Sequence, residues 1–236
     1  MWFLRSGYLR YVALHLEAII ALKTRGDAKR RLSVALTDEA REALVEAMAL
    51  DVIAALSASP EITNVHVICG DGWGHLEELR SPVRVWREPD EHYGDLVGAL
   101  EWVAGQVESD ALLFIHGDLP FVDCSDVASL ASAGASEFAV VSPDRSQTGT
   151  NALLRWRSQS LPLAFGENSY ARHLAFIKSA RLHWHEVSTL GLEMDIDVPT
   201  DLHILEANNA RLGAQTTTWW RRYGMSLFRD ATQKVL

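Results

Sequence analysis

The chain has 236 residues, 48% of them hydrophobic and 22% charged, which is enough for one full-sized core and lacks the bias of a disordered tail. A formal net charge of −9 removes the electrostatic support a nucleic-acid binder needs, so any polyanionic substrate must be met locally. Two cysteines, Cys69 and Cys124, are too few for a disulfide framework or a four-cysteine zinc site and fit the reducing cytoplasm.

Residues 1–17 are largely apolar and carry Arg5 and Arg10. His15 and Glu17 interrupt the run before membrane-spanning length and no small-residue cleavage site follows, so the segment reads as a lead-in rather than a signal peptide or a membrane span. The regular pattern begins at Ala18. Ala18 to Leu22 is a short apolar run that predicts a buried first strand, and it feeds a polar, basic loop from Lys23 to Arg31.

Thr37 before Asp38 and Glu39 gives an N-cap with an acidic first turn. Leu44, Met48, Val52 and Leu56 then recur every four residues, which predicts one apolar face on a helix ending near Pro60. Val65–Cys69 and Val83–Trp86 read as strands, with a turn expected at Gly70-Asp71-Gly72-Trp73-Gly74. Gly94 opens a helical pattern reaching Val107. Ala111–Ile115 is a continuous apolar strand that runs into His116-Gly117-Asp118-Leu119-Pro120. Further along come a helix over 125–133 capped by Asp123, a strand at Phe138–Val141, a loop leading into Thr150–Leu154, a helix after Ser169, a strand near Leu182–Glu186 and a last helix from Thr200 to about Ala210. Strands alternating with helices in this order indicate an α/β fold: a mostly parallel central sheet with helices on both faces and ligands beyond the carboxyl ends of its strands. One domain over 18–212 is expected. Residues 213–236, with Trp219 and Trp220, form an extension that packs on the domain or on a partner subunit, so a homodimer is a candidate state.

Several residues could carry chemistry. Asp118, Asp195 and Asp197 fall at strand or loop ends, where carboxylates could hold Mg²⁺ together with substrate phosphates. Each alone is equally readable as a helix cap, and together they favour a metal site. Lys23, Lys29 and Arg31 lie in the basic loop and could meet a triphosphate or stay solvated. Gly166 and Ser169 stand before a helix whose N-terminus suits an acceptor phosphate or carboxylate, although Ser169 could simply cap that helix. Thr150 and Asn151 could line the same pocket or close a turn. His183 and His185 read as a strand pair lacking a third soft ligand.

Taken together, these residues resemble the 2-phospho-L-lactate and phosphoenolpyruvate guanylyltransferase family, which makes a precursor of the deazaflavin coenzyme F-420. The likeness spans about Ala18 to Ala210. It rests on Leu22-Lys23 with Ala28-Lys29-Arg30-Arg31-Leu32, Gly117-Asp118-Leu119-Pro120, Gly149-Thr150-Asn151-Ala152-Leu153, Phe165-Gly166 with Ser169, and Asp195-Ile196-Asp197-Val198-Pro199. The resemblance implies a single-domain nucleotidyltransferase fold like that of nucleotide-diphospho-sugar transferases, with a mixed sheet. It further implies Mg²⁺ on Asp118, Asp195 and Asp197, Lys23 and Lys29 along the GTP phosphates, and Thr150, Gly166 and Ser169 on a small phosphorylated acid. Val97 stands where the family often has asparagine, and His116 is an unusual residue at its position. A glycosyltransferase using Asp195-x-Asp197, another nucleotidyltransferase, and a non-catalytic nucleotide-binding regulator are the competing readings.

Overall fold

The computed structural model of the chain describes residues 15–225 and 227. Most of residues 1–17, and Phe228 with the residues after it, therefore lie outside the described residues. Strand β1 is Leu16–Leu22, two residues longer at its start than the apolar run suggests, because Glu17 is buried in it. Its charge is met by His66 Nε2 at 2.6 Å and by the Asn64 amide at 2.9 Å, so a carboxylate is accommodated where the sequence suggests a break.

The remaining strands are β2 Ile62–Cys69, β3 Val83–Arg87, β4 Ala111–Ile115, β5 Ala139–Pro143, β6 Thr150–Trp156 and β7 Trp184–Glu186. They form one sheet in the order β3-β2-β1-β4-β6-β5-β7. Only β6 runs against its neighbours, pairing antiparallel with β4 and β5. The pairs β1 with β2, β1 with β4, β2 with β3 and β5 with β7 are parallel. The sheet is thus mixed and mostly parallel.

The longer helices are α1 Asp38–Ala58, α2 Leu96–Gln106, α3 Cys124–Ala133 and α4 Ser169–Ser179. Side chains alternate across a strand, so Ala18, Ile20 and Leu22 of β1 face one layer with Val52 and Val127, while Ile19 faces the other with Leu100, Val103 and Ile177. Helices therefore cover both faces of the sheet. The Thr37 hydroxyl accepts the Ala40 N–H at 3.2 Å, and Asp123 with Asp126 makes a capping box, as the sequence suggests.

Helix α1 departs from expectation. Val52 and Leu56 pack on the sheet, but Leu44 and Met48 belong to a separate cluster with Ile196, Leu202, Trp219 and Trp220. A four-residue step advances 400°, so a stripe at that spacing drifts 40° per step and over three steps leaves the starting face. The drift lets α1 bury two sides. Its outer side receives the short helices α5 Leu190–Glu193, α6 Leu202–Ala207 and α7 Ala214–Trp219, of which α5 and α7 have no counterpart in the sequence reading. Asp51 on α1 accepts the Gln215 and Thr216 N–H groups at 2.9 and 2.8 Å, and the Trp219 indole N–H donates to the Ala40 carbonyl at 2.7 Å. Trp219 and Trp220 are therefore buried within their own chain, and the described part of the C-terminal extension packs on the domain.

Candidate functional site

The carboxyl ends of β1 and β4 lie side by side because those strands pair in parallel, and they deliver Lys23 and Asp118 to one edge of the sheet. Gly117 leaves room there: a Cβ would stand 2.6 Å from the Leu22 side chain, so any other residue would require that side chain to shift. His116 N–H donates to the Asn151 carbonyl at 2.9 Å, which adds the start of β6 to the same edge.

Lys29 reaches this edge from the basic loop. Its backbone is left-handed, with φ 54° and ψ 38°, a conformation that costs a lysine about 1 kcal/mol. The Lys29 ammonium donates to Asp118 Oδ2 and to Asp197 Oδ1, and its side chain is only 12% exposed. Burial pulls the Lys29 pKa down, but the two carboxylates outweigh it and hold the ammonium above its ordinary value. For Asp118, burial works upward, and the Lys29 charge and hydrogen bond reverse it, holding the carboxyl below the usual range. Asp195 makes no such bond among the described residues: burial first, then the charges of Asp118 and Asp197, outweigh the more remote Lys29 charge and push it up to about 7. Asp118 Oδ1 is buried and has no hydrogen-bond partner among the described residues, so this carboxylate has an acceptor position left for a cation or donor. Among the described residues no three His, Cys, Asp or Glu side chains are gathered into a preformed metal cage, and Lys29 supplies the positive charge between Asp118 and Asp197.

Neither Asp118 nor Asp197 is a helix cap. Asp123 caps α3, and Asp201 accepts the Asp197 and Val198 N–H groups, both at 2.9 Å, while receiving Arg145 at 3.2 Å. The two alternatives left open by sequence are thereby closed. Ser169 does not cap α4 either, since the cap is Asn168 in a left-handed conformation and Ser169 is the first helical residue, 1% exposed. Gly166 has φ +112°, a backbone that glycine adopts readily. Thr150 is fully buried, its Oγ1 3.0 Å from His173 Nδ1, and Asn151 donates its amide to the Leu192 carbonyl at 2.9 Å, tying β6 to α5 just before Asp195.

Lys23 and Arg31 are exposed. Three supporting groups escaped the sequence reading. The Trp73 indole, 1% exposed, donates to the Lys23 carbonyl at 2.8 Å, so the glycine-rich turn after β2 anchors the start of the basic loop. Arg41, buried on α1, donates to the Ala28 carbonyl just before Lys29 and to Asp38. Asp201 holds Asp197 as described. A tryptophan within a glycine-rich turn and an arginine on an apolar helix were the only signals for the first two. His116 sits in the site with its ring 5.3 Å from that of Phe165 and a buried, unpartnered Nε2, and burial holds its pKa below the ordinary value. Val97 packs with the apolar cluster around α2, and His183 and His185 are exposed: His185 stacks on Phe138 at 4.7 Å, and His183 lies tilted against the same ring at 5.4 Å. Among the described residues no helix is long and apolar enough to cross a membrane.

Acidic side chains and a lysine gathered at a strand edge beside a basic loop can meet phosphate groups and a cation. Comparison with known proteins identifies the family. A phosphoenolpyruvate guanylyltransferase of Sphaerobacter thermophilus is 29% identical over 199 residues, covering 84% of this chain and 96% of that one. A phosphoenolpyruvate guanylyltransferase of Rubrobacter xylanophilus is 33% identical over 195 residues, covering 81% of this chain and 93% of that one. In fold the chain is similar to a crystal structure from Desulfovibrio desulfuricans, provisionally named a nucleotide-diphospho-sugar transferase, with TM-score 0.71 at 15% identity over 91% of this chain and 97% of that one. The family model described as "Guanylyl transferase CofC like" matches residues 16–233, and the chain accordingly belongs to that family of nucleotidyltransferases and is a guanylyltransferase.

Proposed function

We propose that the enzyme transfers GMP from GTP to the phosphate of a small phosphorylated carboxylic acid in the cytoplasm, as a step of coenzyme F-420 biosynthesis. Phosphoenolpyruvate is the first choice of acceptor, ahead of 3-phosphoglycerate and 2-phospho-L-lactate, because the relatives compared above carry that name. An acceptor phosphate oxygen attacks the α-phosphorus of GTP, the bond from that phosphorus to the β-phosphate oxygen breaks, and pyrophosphate leaves. A phosphate dianion is already a nucleophile at neutral pH, so no protein base is required.

The observation that carries this reading is the Lys29 ammonium between Asp118 and Asp197 at the carboxyl end of β4. Asp118, with its unpartnered Oδ1, and Asp195 and Asp197 are the residues that would hold Mg²⁺, which when bound supplies positive charge to the triphosphate. Lys23, Lys29 and Arg31 take the nucleotide side: Lys23 and Arg31 are exposed at the two ends of the basic loop, and Lys29 bonds Asp118 and Asp197. Thr150, Asn151, Gly166 and Ser169 take the acceptor side, where the N-terminus of α4 offers backbone N–H groups to an anion. On this reading residues 18–212 are the catalytic domain and 213–236 an extension to it. The test is pyrophosphate release from GTP and Mg²⁺ with each of the three acids in turn. Release with one acid identifies the acceptor, and silence with all three from folded protein defeats the reading.

A further inference from the structure

His173 lies on the inward side of α4 and is completely buried, at 0% exposure. Both of its ring nitrogens are engaged. The Ala164 N–H donates to Nε2 at 2.9 Å, and Nδ1 lies 3.0 Å from Thr150 Oγ1. A backbone N–H can only donate, so Nε2 presents its lone pair, and the neutral ring must then carry its proton on Nδ1. That proton goes to the Thr150 hydroxyl, which acts as acceptor. The ring of Phe165, the next residue after Ala164, stands edge-on to His173 with centroids 5.2 Å apart and lies 5.3 Å from the ring of His116. A single imidazole therefore joins the first residue of β6 to the segment that leads through Gly166 into α4.

We infer that His173 is the positioning residue of the acceptor side: its Nδ1–H tautomer fixes the spacing between Thr150 and the Phe165–Gly166 turn, and through it the affinity for the phosphorylated acid, while leaving the nucleotide side alone. The inference rests on the acceptor assignment proposed above. Thr150 and Ser169 are 0% and 1% exposed, so in the free protein this side is a packed wall whose shape is set from behind, and His173 is the polar group behind it. Burial, with Arg172 and His116 adding to it, lowers the imidazole to about 4, so the neutral form persists at ordinary working pH. Lys29, Asp118 and Asp197 are linked to one another through a different set of contacts, which is why the two substrates should respond differently.

The test is steady-state kinetics of H173Q and H173N with phosphoenolpyruvate and GTP varied separately. Glutamine offers an acceptor where Nε2 stood and asparagine a donor where Nδ1 stood, so each keeps at most one of the two bonds. Both variants should raise the acceptor KM by about tenfold or more while the GTP KM stays within about twofold. The T150A/H173Q double variant should be no more than about twofold worse than the poorer single variant, because both changes remove the same contact. A parallel rise in both KM values, as general loosening would give, or multiplicative effects in the double variant, would overturn the inference. If neither variant folds, the ¹⁵N spectrum of the wild-type histidines decides: protonated Nδ1 with bare Nε2 at neutral pH supports it, and the opposite tautomer defeats it. Absence of wild-type turnover with every acid would remove the acceptor assignment as well, whereas turnover with both KM values moving together removes this inference alone.

Discussion

Lys29 and Asp118 meet across 89 residues of sequence, and the same ammonium reaches Asp197, 168 residues away. Two carboxylates that would repel one another are held together by one buried cation supplied from a loop. Lys29 thus does structural service in the free protein at the position where the proposed chemistry needs positive charge.

Removing that cation has a specific signature. Lys29→Met leaves Asp118 partly buried and uncompensated, and should cost about 2 kcal/mol of stability together with at least a hundredfold of turnover. Mg²⁺ should raise the melting temperature of the variant more than that of the wild type, since a divalent ion replaces the lost charge. Thermal unfolding with and without the ion measures this, and an equal response in both proteins would contradict the account.

Asp201 acts one step behind the site. Asp201→Ala strips the acceptor from the Asp197 and Val198 N–H groups and the partner from Arg145, which should lower stability by about 2 kcal/mol and kcat by about tenfold. Asp201→Asn retains one amide oxygen and should recover much of both. Chemical unfolding and initial rates for the two variants provide the comparison, and equal damage from both would show that charge rather than hydrogen bonding is what Asp201 contributes.

Trp73 should affect the nucleotide side alone. Trp73→Phe keeps most of the buried apolar surface and deletes only the N–H that holds the Lys23 carbonyl. The expected loss is about 1 kcal/mol of stability with a GTP KM several-fold higher and an acceptor KM unchanged. An unchanged GTP KM would mean that the anchored carbonyl does not determine where Lys23 stands.

Acid should weaken the fold through His173. Its folded-state value, about 4, lies below the ordinary 6.5, so between those limits the folded protein binds fewer protons than the unfolded chain. The contribution is complete above pH 6.5 and is lost as pH falls towards 4, about 3 kcal/mol in all. Burial is the main cause, and Arg172 and His116 are the charged or titratable groups acting on the ring. Urea unfolding at pH 7 and pH 5 should show a smaller loss for H173Q, which lacks this titration, than for the wild type.

The sheet was largely legible in the sequence because its strands are short apolar runs ended by polar or glycine-rich turns, and β1, β4 and the caps Thr37 and Asp123 stand where local chemistry puts them. The two sides of α1 were not, since a helix buried between a sheet and an outer helical layer has no single apolar stripe to read. Helices α5 and α7 are too short for periodicity to reveal. Within the site, residue types marked Asp118, Asp197 and Lys29, but the bond of Lys29 to both aspartates depends on folding across long sequence distances. The roles of Trp73 and Arg41 were hidden for the same reason: each acts on a backbone group of another segment, and no side-chain pattern encodes that. Asp201 acts locally, on the N–H groups three and four residues before it, a bond that a lone aspartate at a helix start does not announce.

In the proposed reaction the α-phosphorus of GTP is joined to an acceptor phosphate. ³¹P spectra of the enzyme with GTP, Mg²⁺ and phosphoenolpyruvate, with Asp118→Asn as the matched control, test it most directly. Two mutually coupled resonances of a new mixed diphosphate should grow in step with pyrophosphate and be absent from the Asp118→Asn sample. Unchanged GTP from folded wild-type protein with all three candidate acids, or release of inorganic phosphate with no mixed diphosphate, would contradict it.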